Sequence, residues 1–133
     1  MATQKAGFHI HVPFVEHLGV RVTHRESGVV KLRLDPRAEL ENSWGSMHGG
    51  ALMTLLDVAL ASAGRSLDEE CNGALTVEIK VNFIAAATGI VLAEGRAQRA
   101  GRSLIFSEGE LRSEDGALLA KATGTFKLLY PKE

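Results

Sequence analysis

Hydrophobic positions recur along this chain with two different periods. In residues 75–83, Leu75, Val77, Ile79, Val81 and Phe83 alternate with Thr76, Glu78, Lys80 and Asn82, which predicts a strand with one core face and one polar face. Residues 29–34 repeat the pattern, Val30, Leu32 and Leu34 facing one way and Lys31 and Arg33 the other. A short strand over 20–23 precedes them across the turn Glu26-Ser27-Gly28, and residues 13–17 read as a helical turn. Further on, 90–100 and 103–112 flank Gly101-Arg102 as a hairpin, and the turn Ser113-Glu114-Asp115-Gly116 leads into a last strand over 118–129. Residues 50–63 break the alternation: Gly-Ala-Leu-Met-Thr-Leu-Leu-Asp-Val-Ala-Leu-Ala-Ser-Ala is apolar around nearly its whole circumference, so the spacing predicts a helix buried on all sides. Gly64 is expected to end it. Polar loops over 36–46 and 66–73 bracket that helix. One long apolar helix early among about five to six antiparallel strands predicts an α+β domain whose sheet curls around the helix.

Composition narrows the function without choosing it. At 133 residues with 45% hydrophobic side chains, the chain is expected to form one domain with an irregular start over about residues 1–12. Fifteen basic and sixteen acidic residues give a net charge of −1, with no electrostatic footprint for nucleic acid or an anionic membrane. The N-terminus has no signal-peptide pattern, and the longest apolar run is too short to span a bilayer, so a cytoplasmic protein is expected. The single Cys71 excludes an internal disulfide and fits a reducing compartment.

The chemistry centres on the one carboxylate in the greasy helix. Asp57 is costly there unless it meets donors or water, which places it in a polar pocket within a dry region. Before the helix stands His48-Gly49-Gly50. Helix-initial amides lack internal partners and can face an oxygen gaining negative charge, and glycine lets that oxygen come close. A carboxylate plus free amides suits acyl transfer. At ~1.5 Å rise per residue, however, Asp57 lies roughly 10 Å along the axis from the Gly50 amide. If both serve one reaction, the Asp57 of one chain faces the glycine loop of another, which requires a two-fold homo-oligomer, a dimer or a dimer paired into a tetramer.

Between about residues 20 and 128 the sequence resembles the hotdog fold, and within it the phenylacetic-acid-type (PaaI-like) acyl-CoA thioesterases. The resemblance is carried by Asn42, by His48-Gly49-Gly50 and Leu55-Leu56-Asp57-Val58-Ala59, and by residues 76–83, Gly101-Arg102-Ser103 and Thr123-Gly124-Thr125-Phe126. It implies hydrolysis of an acyl-CoA thioester with no metal or redox cofactor. Asp57 would be the nucleophile or general base, and the amide of Gly49 or Gly50 would polarise the carbonyl. Asn42 and His48 would shape that loop, and Thr76 would help to place the water. Two alternatives stay open: a hotdog dehydratase or hydratase acting on 3-hydroxyacyl thioesters, whose sites add a catalytic histidine, and a non-catalytic acyl-CoA-binding protein.

Other candidates are weaker in their chemistry. Ser46, His48 and Asp57 lack the Gly-x-Ser-x-Gly elbow of a hydrolase triad. His9 and His11 could share one side of an extended terminus, but no carboxylate or cysteine cluster joins them as metal ligands. Arg99 and Arg102 flank a hairpin tip, where guanidinium groups could meet the phosphates of coenzyme A. Met53 is a candidate for the acyl pocket; Leu56, Leu60, Phe8, Phe14 and Trp44 are expected in the core or at an interface.

Overall fold

The structure is a computed structural model that describes residues 11–132; Phe8 and His9 lie outside the described residues. A short helix α1 (Pro13–Leu18) is followed by strands β1 (Arg21–Glu26) and β2 (Val29–Leu34), and the long helix α2 (Gly49–Arg65) comes next. The chain then forms β3 (Gly73–Phe83), β4 (Val91–Arg99), β5 (Leu104–Ser113) and β6 (Leu118–Leu129). All strand pairings are antiparallel, in one six-stranded sheet of order β1-β2-β4-β5-β6-β3. Thus β3, the first strand after the helix, takes the far edge beside β6. This is the α+β arrangement that the alternating strands and the single apolar helix predict.

The sheet grips α2 along one side. Leu52, Leu55, Leu56, Ala59, Leu60 and Ala63 are buried in a common core with Val30, Leu32, Ala93, Ile105, Leu111 and Phe126. Each large apolar side chain fully removed from water contributes on the order of 1.5–3 kcal/mol. The helix approaches so closely because the sheet is bare beneath it. A Cβ on Gly95 would lie 2.4 Å from the Ala59 carbonyl oxygen, and Gly109 is the residue paired with Gly95 across β4 and β5. Next along β5, the Ser107 hydroxyl donates to the Leu60 carbonyl at 3.1 Å. Among the described residues, no helix is long and apolar enough to cross a membrane.

Three expectations from the sequence need correction. Gly64 does not end the helix; α2 runs to Arg65, and the missing side chain at Gly64 makes room for Ile105, whose Cγ2 would sit 3.0 Å from a Cβ there. Ser66 closes the helix instead, donating to the Ala63 carbonyl at 2.6 Å and accepting the Gly28 amide at 2.8 Å. Nor is α2 covered on all sides. Met53 is 44% exposed, and Asp57, Val58 and Ala61 are only half-buried, because the sheet covers one face fully while α1 and the start of β3 cover the other only in part among the described residues.

The third correction concerns β3. Leu75 and Val77 are 55% and 60% exposed, although strict alternation puts both in the core. A bulge inserts Val77 between the Thr76–Phe126 and Glu78–Thr125 pairs. One extra residue flips every later side chain to the other face. Ala74 packs toward the core before the bulge, and Ile79 and Val81 do so after it. Phe14 and Trp44, expected in core or interface, are exposed in the single chain, Trp44 at 89%.

Candidate active site

The loop before α2 is held by one asparagine. The Asn42 side-chain oxygen accepts the amides of Trp44 at 2.9 Å and Ser46 at 3.2 Å, and its nitrogen donates to the Ser46 hydroxyl at 2.9 Å. Side-chain bonds of this kind replace the ladder that a tight turn cannot form. The loop is then pinned to the body of the fold: the Met47 amide donates to the Ala87 carbonyl at 2.8 Å, and the His48 amide to the Leu40 carbonyl at 2.7 Å. Asn42 therefore holds the loop through its own hydrogen bonds.

His48 caps the helix that the loop delivers. Its Nδ1 accepts the Gly50 amide at 2.8 Å, so Nδ1 carries no proton in this arrangement and a neutral ring bears its hydrogen on Nε2. The two glycines thereby acquire different jobs. Gly50 has its amide engaged, and a Cβ there would come within 3.1 Å of His48 Nδ1; glycine at 50 serves the cap. Gly49 has an amide with no acceptor among the described residues. A Cβ on Gly49 would make only ordinary contact with the Phe83 ring at 3.6 Å, and its backbone is not left-handed. Among the described residues nothing requires a glycine at 49, and the absent side chain leaves its amide open to a closely approaching ligand.

Asp57 lies two turns further along α2, half-buried on the face away from the centre of the sheet. The Thr76 hydroxyl donates to its Oδ1 at 2.7 Å. The bulge at Val77 brings about this contact, because Thr76 would otherwise share a face with Glu78 and Lys80. The hydroxyl fixes one carboxylate oxygen and leaves Oδ2 with no protein donor among the described residues. Asp57 also lines a cavity of about 280 Å³ between α1, α2, the start of β3 and the end of β6, together with Val15, Ala61, Ser62, Arg65, Ala74 and Leu129. Met53 stands one turn before Asp57 on the same helical face. A larger concavity of about 400 Å³, lined by Arg96, Phe106 and Thr125 among others, lies on the sheet's opposite face. It contains neither Asp57 nor a helix-initial amide, so the smaller cavity is the candidate for chemistry.

The structure brings together Asp57 and Thr76, and separately Asn42, His48, Gly49 and Gly50. The two hairpin arginines differ in their contacts. Arg99 is committed within the fold, to Asp68 at 3.2 Å, to the Tyr130 hydroxyl at 2.8 Å and to the carbonyls of Gly101 and Arg102. Arg102 is exposed, and its guanidinium has no partner among the described residues. Tyr130 also donates to Asp68 at 2.7 Å. That bond, ahead of the Glu70 amide and Arg99, holds the Asp68 carboxyl below its ordinary range. Among the described residues, no group of three or more histidine, cysteine or acidic side chains could hold a metal ion, and His11 pairs with Glu16. The sequence reading missed Ser62 and Arg65 in the cavity, although the spacing of Arg65 from Asp57 places those two toward one side of a helix.

These features agree with what the chain resembles. Residues 45–120 match the thioesterase superfamily, and the protein belongs to that family; its sheet on one central helix is the hotdog fold. It is 37% identical to the conserved protein PA5202 of Pseudomonas aeruginosa, with a TM-score of 0.83 over 89% of this chain and 94% of that one. It is 27% identical to the medium/long-chain acyl-CoA thioesterase YigI of Salmonella typhimurium, over 90% of this chain and 87% of the relative. The E. coli PaaI protein shares the fold with a TM-score of 0.81, over 89% of this chain and 85% of that one, at 19% identity. At that distance the likeness extends to the fold and not to the branch.

Proposed function

We propose that the protein is an acyl-CoA thioesterase whose site is shared between two copies of the chain. The observation that carries this reading is the Thr76–Asp57 hydrogen bond, which orients a half-buried carboxylate. In the proposed reaction the thioester carbonyl lies at Asp57 Oδ2 and the Gly49 amide of a second copy holds the carbonyl oxygen as it gains charge. Asp57 either attacks the carbonyl carbon or removes a proton from the water that does. The carbon–sulfur bond then breaks and the thiolate takes a proton and leaves as coenzyme A; the water route gives the free acid directly, and the attack route gives it once a water hydrolyses the acyl–Asp57 anhydride.

Separation of Asp57 from the glycine amides along one helix supports a shared site, as does the exposure of Met53 on the same face of α2. The second edge of β3, with Leu75 and Val77 exposed beside it, has the character of a strand that pairs with another chain. Arg102 is the better of the two hairpin arginines for a coenzyme A phosphate, because Arg99 is already bonded. The YigI relative supports the acyl-CoA class of substrate.

Asp57→Asn keeps the shape and removes the charge. It should lower kcat on acyl-CoA esters by about 10²-fold or more while binding and the thermal melt survive. Hydrolysis at near wild-type rate would remove Asp57 from the chemistry, and a fully active monomer in sedimentation would end the shared-site reading.

A further inference from the structure

Besides Asn72, the cavity beside Asp57 is lined by two polar residues that the proposed chemistry does not use, Arg65 and Ser62. Arg65 lines it half-buried, and its guanidinium has no hydrogen-bond or ion-pair partner among the described residues. The charged groups nearest in effect are Arg25, Glu69 and the Cys71 thiol, and Glu69 is bonded to Arg25 at 3.0 Å. Burial pulls the Arg65 pKa below the usual arginine range, the mark of a cation held from water without its counter-charge. A cation in the last turn of a helix gains from the helix dipole, but an exposed one gains as much, so the dipole does not account for the burial. Ser62 is 4% exposed, lines the same cavity, and has a buried hydroxyl with no hydrogen-bond partner among the described residues.

We propose that this cavity receives the far end of an acyl chain that terminates in a carboxylate, with the Arg65 guanidinium as its anchor and Ser62 as a second donor. The proposal rests on the thioesterase reading and names its substrate class. Asp57 and Arg65 stand toward one side of α2, and the eight residues from Asp57 to Arg65 span about 12 Å of helix axis. Side chains lean toward the helix N-terminus, so the guanidinium reaches back toward the carboxylate from that distance. A thioester held at Asp57 therefore extends a medium-length acyl chain past Ala61 and Leu129, and its terminal group arrives at Arg65. A planar guanidinium binds a carboxylate through two parallel N–H donors, whereas a plain alkyl end would leave the buried cation unpaired.

Suberoyl-CoA and octanoyl-CoA have equally long chains and differ only in the terminal carboxylate. The wild type should show kcat/KM about tenfold or more in favour of suberoyl-CoA, as expected for a charge-assisted pair. Arg65→Gln should abolish that ratio and Arg65→Lys should keep part of it. Because the ratio is taken within one preparation, partial unfolding of a variant does not alter it. Repeating the series with pantetheine thioesters separates two sources of an anion: the preference should persist without the nucleotide. Hydrolysis of octanoyl-CoA with no suberoyl preference, or a ratio unchanged by Arg65→Gln, would overturn the proposal and leave the thioesterase reading intact. An effect of Arg65→Gln confined to coenzyme A over pantetheine, whatever the acyl chain, would assign Arg65 to a phosphate and also overturn it. Failure to hydrolyse any of these thioesters would overturn both.

Discussion

The two faces of α2 are made of similar residues and differ in what covers them. On the sheet side, Leu55, Leu56, Ala59, Leu60 and Ala63 have no exposure at all, and bare backbone at Gly95 lets the helix approach within van der Waals contact of the strands. On the other side Met53, Asp57, Val58 and Ala61 remain exposed or half-buried, although three of the four are apolar. The first face is satisfied by this chain alone. The second has its apolar stripe, its carboxylate and its cavity but only the partial cover of α1 among the described residues, which is the surface expected of a site completed by something beyond them.

Substitutions matched across the helix test that contrast directly. Leu56→Ala should cost about 2–5 kcal/mol of stability, since it empties a fully buried position in a close-packed core. Met53→Ala, at a 44% exposed position, should change the stability of an isolated chain by about 0.5 kcal/mol or less. Its effect should instead appear as weaker self-association in sedimentation at micromolar concentration. Equal thermal shifts for the two variants, with self-association unchanged, would mean that the faces do not differ as described.

The glycine pair sharpens the same contrast at the loop. Gly49→Ala puts a methyl where the structure has room for it, against Phe83 at ordinary distance, and it should fold with equal or slightly greater stability given the helix preference of alanine. If the Gly49 amide holds the carbonyl oxygen, that methyl obstructs the approach and kcat should fall by about 10²-fold. Gly50→Ala should behave oppositely in kind. Its methyl meets the His48 ring, so the cap is lost and stability falls by about 0.5–2 kcal/mol. Reversal of these patterns, with activity lost at 50 and stability at 49, would exchange the roles of the two amides.

Most of the fold and half of the site were legible in the sequence, and the failures share a physical cause. The strands and the apolar helix announce themselves by local period, and the loop and Asp57 by local contrast in polarity. Gly64 was misread because a glycine near a helix end serves a cap or a close contact equally well, and only the position of Ile105 decides. Thr76 was assigned to the wrong face because a bulge is a property of the β3–β6 register, which neither strand carries alone. Arg99 looked free for a phosphate because Asp68 and Tyr130, each 31 residues away, consume it only after folding. Arg65 was overlooked because a cation at a helix end is unremarkable until its burial is known.

The smallest expected effect concerns that arginine network, which ties the β4–β5 hairpin tip to the segment after α2. Tyr130, Arg99 and the Glu70 amide all favour the charged form of Asp68, and the Tyr130 hydroxyl does so most. The same bond raises the Tyr130 phenol above its ordinary range, as it must when a hydroxyl donates to a carboxylate and loses that bond on ionising. Because the folded carboxyl titrates lower than the unfolded one, its contribution to stability is complete above the ordinary carboxylate range and is lost as pH falls through the depressed folded value. Tyr130→Phe removes the largest of the three influences while leaving the ring in place. The Asp68 carboxyl, followed by NMR titration, should therefore move up toward its ordinary range, and the stability that this group loses on acidification should be smaller and complete at a slightly higher pH. Because the cluster is exposed to solvent, the change in thermal stability at neutral pH should be small and should diminish further in high salt. Arg99 keeps its bonds to Asp68 and to the carbonyls of Gly101 and Arg102 in that variant, so thioester hydrolysis should be unaffected. A large fall in kcat/KM for acyl-CoA, with pantetheine thioesters spared, would instead place the hairpin tip in coenzyme A binding and extend the site to this end of the molecule.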